Sequence, residues 1–171
     1  MKLSKMIALS SLVSAFCAVL LYLGALFPTL SLSCIFLASL TIMLPLAKKS
    51  YKGAILAVVA SSILSFLLAA FSFETSLPFI LFFGFHPIIN HFQKDKKLNK
   101  FLMFAIKDIW CVGALFACYF LTEMFVTENE FFHKYMPYIL SIGGTLFFIV
   151  YDYMMFYFQR AIDRVAERLK L

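Results

Sequence analysis

The chain has 171 residues, of which 63 % are hydrophobic and only 14 % charged, and its formal net charge is +6. Its longest polar stretches are the segment after Phe158 and two loops of roughly ten residues, so no soluble domain is expected. The positive balance does not call for a nucleic acid, because the basic residues form short clusters beside apolar runs, where membrane lipid headgroups account for them.

Six apolar runs of near-bilayer length follow one another, at roughly residues 6–27, 30–47, 53–73, 77–92, 101–126 and 137–158. The first exceeds the ~7–15 apolar residues of a signal peptide and has no small-residue cleavage site ahead of a polar mature domain, so it reads as a retained span. Phe27-Pro28-Thr29-Leu30 forms a tight turn to the second run, and Lys48-Lys49-Ser50-Tyr51-Lys52 one to the third, making the first three helices antiparallel neighbours. A third short connection, Phe73-Glu74-Thr75-Ser76, leads to the fourth run. The loop from about Thr127 to Met136 is longer and carries Glu128, Asn129, Glu130, His133 and Lys134, polar enough for either a lid or a solvated connection. A basic segment, residues 159–171, follows the sixth run. The four cysteines, Cys17, Cys34, Cys111 and Cys118, all fall inside apolar runs, without metal-ligand spacing, and read as packing residues.

An even number of spans puts both ends on one side. Every basic residue except Lys107 and Lys134 then falls on that side, and the retention of positive charge inside makes it cytoplasmic. The predicted fold is an all-α integral membrane protein: one domain, a bundle of six transmembrane helices with both termini cytoplasmic.

Charges within apolar runs are costly, so the residues that interrupt them carry the most information. His86 lies about six residues before the cytoplasmic end of the fourth run, Lys107 and Asp108 six or seven residues into the fifth, and Asp152 about six residues before the end of the sixth. At 1.5 Å per residue all four lie about 9–10 Å from the inner boundary, in one layer. This predicts that Lys107 pairs with Asp152, with His86 nearby, as either a switched polar network or a neutral pair that fixes helix register. Lys107 and Asp108 are about 100° apart around their helix, so only one faces that partner squarely. Pro87 bends the fourth helix at the same depth.

Toward the outer side, Tyr22, Tyr119, Glu123, Tyr138 and Ser141, with Trp110 nearer the middle, offer the aromatic faces, hydroxyls and single carboxylate of a small-molecule pocket, or the lipid anchors of an aromatic belt. On the first helix Ala8, Ser11, Ala15 and Ala18, with Ser14, place small residues three and four apart, a face that admits the close approach of another helix from the same chain or from a partner.

The run Ala8-Leu9-Ser10-Ser11-Leu12-Val13-Ser14-Ala15, the turn Tyr22-Leu23-Gly24-Ala25-Leu26-Phe27-Pro28 and the segment from Gly53 to Leu68, in a chain of this length with six predicted spans, resemble the first three helices of the substrate-binding S component of energy-coupling factor (ECF) transporters. The resemblance implies a small-molecule, vitamin-like ligand held toward the outer side. It also implies a transmembrane coupling protein docked on the small-residue face of the first helix and ATPase subunits that drive uptake. A bacterial plasma membrane follows from the same resemblance.

Two function classes therefore stand: a substrate-binding subunit of an uptake transporter, or a structural scaffold subunit of the cell-envelope or cell-shape machinery. A continuous polar pocket favours the first and an apolar packed interior the second. No catalytic residue, cofactor or metal site is expected. The chain has no His-Glu-x-x-His, Gly-x-Ser-Gly, paired-glutamate or nucleotide-binding motif, and Ser141-Ile142-Gly143-Gly144 is explained by helix packing.

Overall fold

The structure, a computed structural model, describes residues 3–68, 73–122 and 130–168. These residues are almost wholly helical. Helix α1, Leu3–Leu26, ends where Phe27 turns out of the helical region and Pro28 opens a short 3-10 turn, Pro28–Leu30. Next come α2, Ser31–Thr41, and α3, Met43–Ala47. The break between them lies at the point where Pro45, lacking an N–H, cannot bond the carbonyl of Thr41. Helix α4, Tyr51–Leu68, follows, then α5, Phe73–Pro78, a π-helical turn over Phe79–Phe83, and α6, His86–Asp95. Helix α7 is Lys100–Thr122, α8 is Glu130–Tyr138, and a second π turn, Ile139–Gly143, leads into α9, Gly144–Arg168.

Five stretches among the described residues are long and apolar enough to cross a membrane: Leu3–Leu26, Pro28–Ala47, Tyr51–Leu68, Lys100–Thr122 and Lys134–Arg168. Their outward faces carry large apolar side chains, with Ile109 72 % and Phe120 73 % exposed, which is the surface of a membrane protein and not of a soluble one. The predicted fourth span, residues 77–92, is not one of the five. It is a composite of α5, a π turn and α6, broken where Pro87 removes a backbone donor, and α6 is rich in polar groups. The sixth helix does not stop near Phe158. It runs unbroken to Arg168, because Gln159 and Asp163 find partners on α6: Gln159 Nε2 lies 2.5 Å from His91 Nδ1, and Lys94 Nζ donates to Asp163 Oδ2 at 2.7 Å. Of the predicted fifth span, residues 123–126 lie outside the described residues, as does residues 127–129 of the loop after it. The rest of that loop, from Glu130, is α8.

Contacts gather the basic segments at one end of the bundle. Gly53 at the start of α4 lies against Met6 of α1, and Tyr51 donates to Asp95 Oδ2 at 2.6 Å. With the Lys94–Asp163 pair, these join the beginnings of α1 and α4 to the ends of α6 and α9. Two turns at this end close with a lysine in the left-handed region, Lys49 at φ 54° and Lys97 at φ 50°. In each, the following N–H reaches back five positions, Ser50 to Pro45 O and Leu98 to Gln93 O, so two orphan carbonyls are satisfied. Asn99 then caps α7 through the N–H groups of Phe101 and Leu102.

Small residues set the tightest packing, between α1 and α4. Ser10 Oγ donates to Gly53 O at 2.9 Å and Ser14 Oγ to Ala57 O at 3.3 Å, so hydroxyls from one helix bond the backbone of the other. The centre is aromatic: Phe79, Phe82, Phe148 and Tyr151 are all buried, with Phe82 edge-on to Phe148 and tilted against Tyr151. Pro87 leaves the carbonyl of Phe83 without its helical donor, and Ser39 Oγ on α2 supplies one at 2.6 Å while bonding Tyr151 Oη at 3.0 Å. Ser39 is completely buried, so Ser39→Ala strips both partners inside the bundle. The expected loss is about 1–3 kcal/mol, read as a lowered melting temperature in detergent. An unchanged melting temperature refutes the bridging role.

Candidate functional site

The deep charged layer forms from three helices. Asp152 comes from α9, Lys107 from α7, and His86 and Asn90 from α6, where their four-residue spacing puts both on one face. Lys107 Nζ donates to Asp152 Oδ1 at 2.6 Å and to Asn90 Oδ1 at 2.8 Å, and lies 4.9 Å from the centroid of the Phe156 ring. Phe156 follows Asp152 by one helical turn, so α9 presents the anion and the π face to the same ammonium. His86 Nε2 sits 3.0 Å from the same Asp152 Oδ1 and, facing a carboxylate, carries the proton on that nitrogen. Its Nδ1 is buried and has no hydrogen-bond partner among the described residues, and the ring lies among Phe82, Phe148 and Tyr151. The cluster holds one ammonium and one carboxylate, hydrogen-bonded to each other and to neutral polar groups.

Asp108 does not join it. One residue on from Lys107, it points to another face of α7, where Thr145 Oγ1 donates to its Oδ2 at 3.3 Å. Two parts of the polar network escaped the sequence reading. Asn90 was legible in principle, since it stands four residues after His86. The second, at the basic end, joins His91, Gln159, Tyr51 and Asp95, and it depends on the continuation of α9, which the loss of hydrophobicity after Phe158 concealed.

Among the described residues, none of those expected to line an outer pocket lines the groove between α6, α7 and α9 or the small cleft beside Phe82 and Cys111. Tyr22 and Tyr138 face outward on different helices. Trp110 packs edge-on against Phe82 at 4.9 Å, and Tyr119 lies edge-on to Phe120. Ser141 returns its hydroxyl to the Pro137 carbonyl of its own helix at 2.8 Å. Glu123 lies outside the described residues. On α1, Ala8, Ser11 and Ala15 are exposed along one face together with Leu12 and Phe16. Ala18 departs from that set: three residues after Ala15, and so about 60° around the helix, it falls on the buried side with Ser14.

A groove of about 730 Å³ opens at the basic end between α6, α7 and α9. Asp152 forms its deep end, Phe104, Tyr153 and Phe156 its walls, and Lys97, Lys100 and Arg160 its rim. Such a volume is ordinary for a small-molecule site. No protein-family model, curated protein or solved structure matches the chain.

Proposed function

We propose that the chain is the substrate-binding membrane subunit of a small-molecule uptake system, coupled to ATP hydrolysis by partner subunits. The observation that carries the reading is the division of labour on α1. Ser10, Ser14 and Ala18 are consumed by packing inside the bundle, whereas Ala8, Ser11 and Ala15 form a second small-residue face turned outward and left uncovered. Such a face suits close approach by a helix of another membrane protein, here a coupling protein. In this reading the basic end is cytoplasmic, because short basic segments are retained there, and the membrane is a bacterial plasma membrane. The resemblance of the first three helices to ECF S components supports the same assignment.

A scaffold role in the cell envelope is the second reading. It is favoured by the aromatic packing of Phe79, Phe82, Phe83 and Phe148, which fills the middle of the bundle. Purification from the native membrane in mild detergent, followed by mass spectrometry, separates the two. Co-purification of a polytopic membrane protein with ATPase subunits is the expected result. Recovery of envelope or division proteins, or of the chain alone while a control transporter stays intact, overturns the uptake reading.

A further inference from the structure

The groove at the basic end has a chemical polarity that the uptake reading neither uses nor requires. Asp152 is only 8 % exposed, and both of its hydrogen bonds within the bundle, from Lys107 and from His86, go to Oδ1. No hydrogen bond to its Oδ2 is made among the described residues, and Asp152 lines the groove. A carboxylate oxygen that opens on the groove is available to accept from a donor on a ligand. The charge of Asp152 is already balanced by Lys107, so a neutral hydroxyl suits it better than a second cation. At the mouth the chemistry reverses. Lys94 is held by Asp163, but Lys97, Lys100 and Arg160 make no ion pair among the described residues. Between the two ends the walls are aromatic, from Phe104, Tyr153 and Phe156.

We infer that this groove binds a small organic anion with an aromatic or apolar body and a neutral hydroxyl at the end opposite its charge. The anion sits among Lys97, Lys100 and Arg160, the body lies between the aromatic walls, and the hydroxyl donates to Asp152 Oδ2. The dimensions agree: Asp152 and Arg160 are eight residues apart on one continuous helix, about 12 Å along its axis, which matches a phosphorylated phenol with one contact at each end. A phospholipid of the adjacent leaflet fits less well. Its phosphate would meet the same lysines, but its acyl chains would then lie against Asp152, an acceptor they cannot satisfy.

The test uses the full chain in phosphatidylcholine nanodiscs, titrated calorimetrically with para-hydroxyphenyl phosphate, which has all three features. Phenyl phosphate, without the hydroxyl, and hydroquinone, without the charge, serve as comparisons. Saturable binding is expected, with each comparison weaker by about tenfold, since each forfeits a hydrogen bond to a charged partner. The double variant Lys97→Glu/Arg160→Glu, at exposed positions, should weaken binding of the full probe at least as much with an unchanged melting temperature. Absence of saturation overturns the proposal. So does equal binding of phenyl phosphate, which makes the groove a patch of positive charge only. Displacement of the probe by added phosphatidylglycerol also overturns it and assigns the groove to lipid. The compound series stands even if the double variant fails to fold.

Discussion

Asp152→Asn is expected to destabilise the protein by about 3–5 kcal/mol in detergent, the range for breaking a buried ion pair by removing one partner. Lys107 is 1 % exposed and sits between two oxygens and an aromatic ring, so its ammonium is left without a counter-charge once the carboxylate is gone. Lys107→Met should cost less, and the inequality is the informative part. Asp152, unlike Lys107, opens on the groove, so an unpaired carboxylate there is reached by water and keeps its bond from His86. Combining Lys107→Met with Asp152→Leu should recover much of the larger loss, because no uncompensated charge then remains. The readout is a double-mutant cycle on melting temperature or reversible unfolding. Additive single effects, or equal ones, are incompatible with this geometry.

Gly53→Leu is the second change with a large expected effect. A Cβ added to Gly53 would come 2.8 Å from Ser50 Oγ, 3.0 Å from Ser10 Oγ and 3.2 Å from Met6 Cγ. The bulk of a leucine therefore separates α1 from α4 and breaks the bond from Ser10 to the Gly53 carbonyl. Overpacking of this kind costs about 1–3 kcal/mol, and the lost buried hydrogen bond adds to it. Ala15→Leu provides the contrast on the exposed face of α1. It should leave the melting temperature of the isolated chain unchanged and abolish capture of a coupling protein. If Ala15→Leu instead destabilises the isolated chain, the two small-residue faces have been assigned the wrong way round.

Most of the bundle was legible because apolar length and basic flanks are signals that a bilayer enforces. Four of the six predicted spans, those starting near residues 6, 30, 53 and 101, correspond to long apolar helical stretches, and a fifth lies within Lys134–Arg168. The charged layer was legible for a related reason. A lysine and an aspartate isolated in apolar runs at matching depth have few alternatives to each other, and the structure brings Lys107 to Asp152 and His86 while sending Asp108 elsewhere. The outer aromatic residues carried less information, because aromatic residues are abundant in every span and composition cannot tell a pocket wall from a lipid anchor. The groove was not legible. Its rim comes from two segments that the sequence presents as separate polar clusters, one around Lys97 and one around Arg160. What brings them together is the unbroken helix across residue 158.

The two π turns have a mechanical consequence. Each directly follows a helix that contains a proline near its end, Pro78 or Pro137, and each lies ahead of a member of the charged cluster, His86 in one case and Asp152 in the other. A π turn stores one residue more than an α-helical turn needs, and it can travel along a helix by exchanging one set of backbone bonds for the next. When it moves by a residue, the segment beyond it swivels by about 100° relative to the segment before it. The architecture therefore places a slipping joint above a riveted seam: the far halves of two neighbouring helices can turn about their axes while the bond between His86 and Asp152, on the basic side of both joints, stays closed.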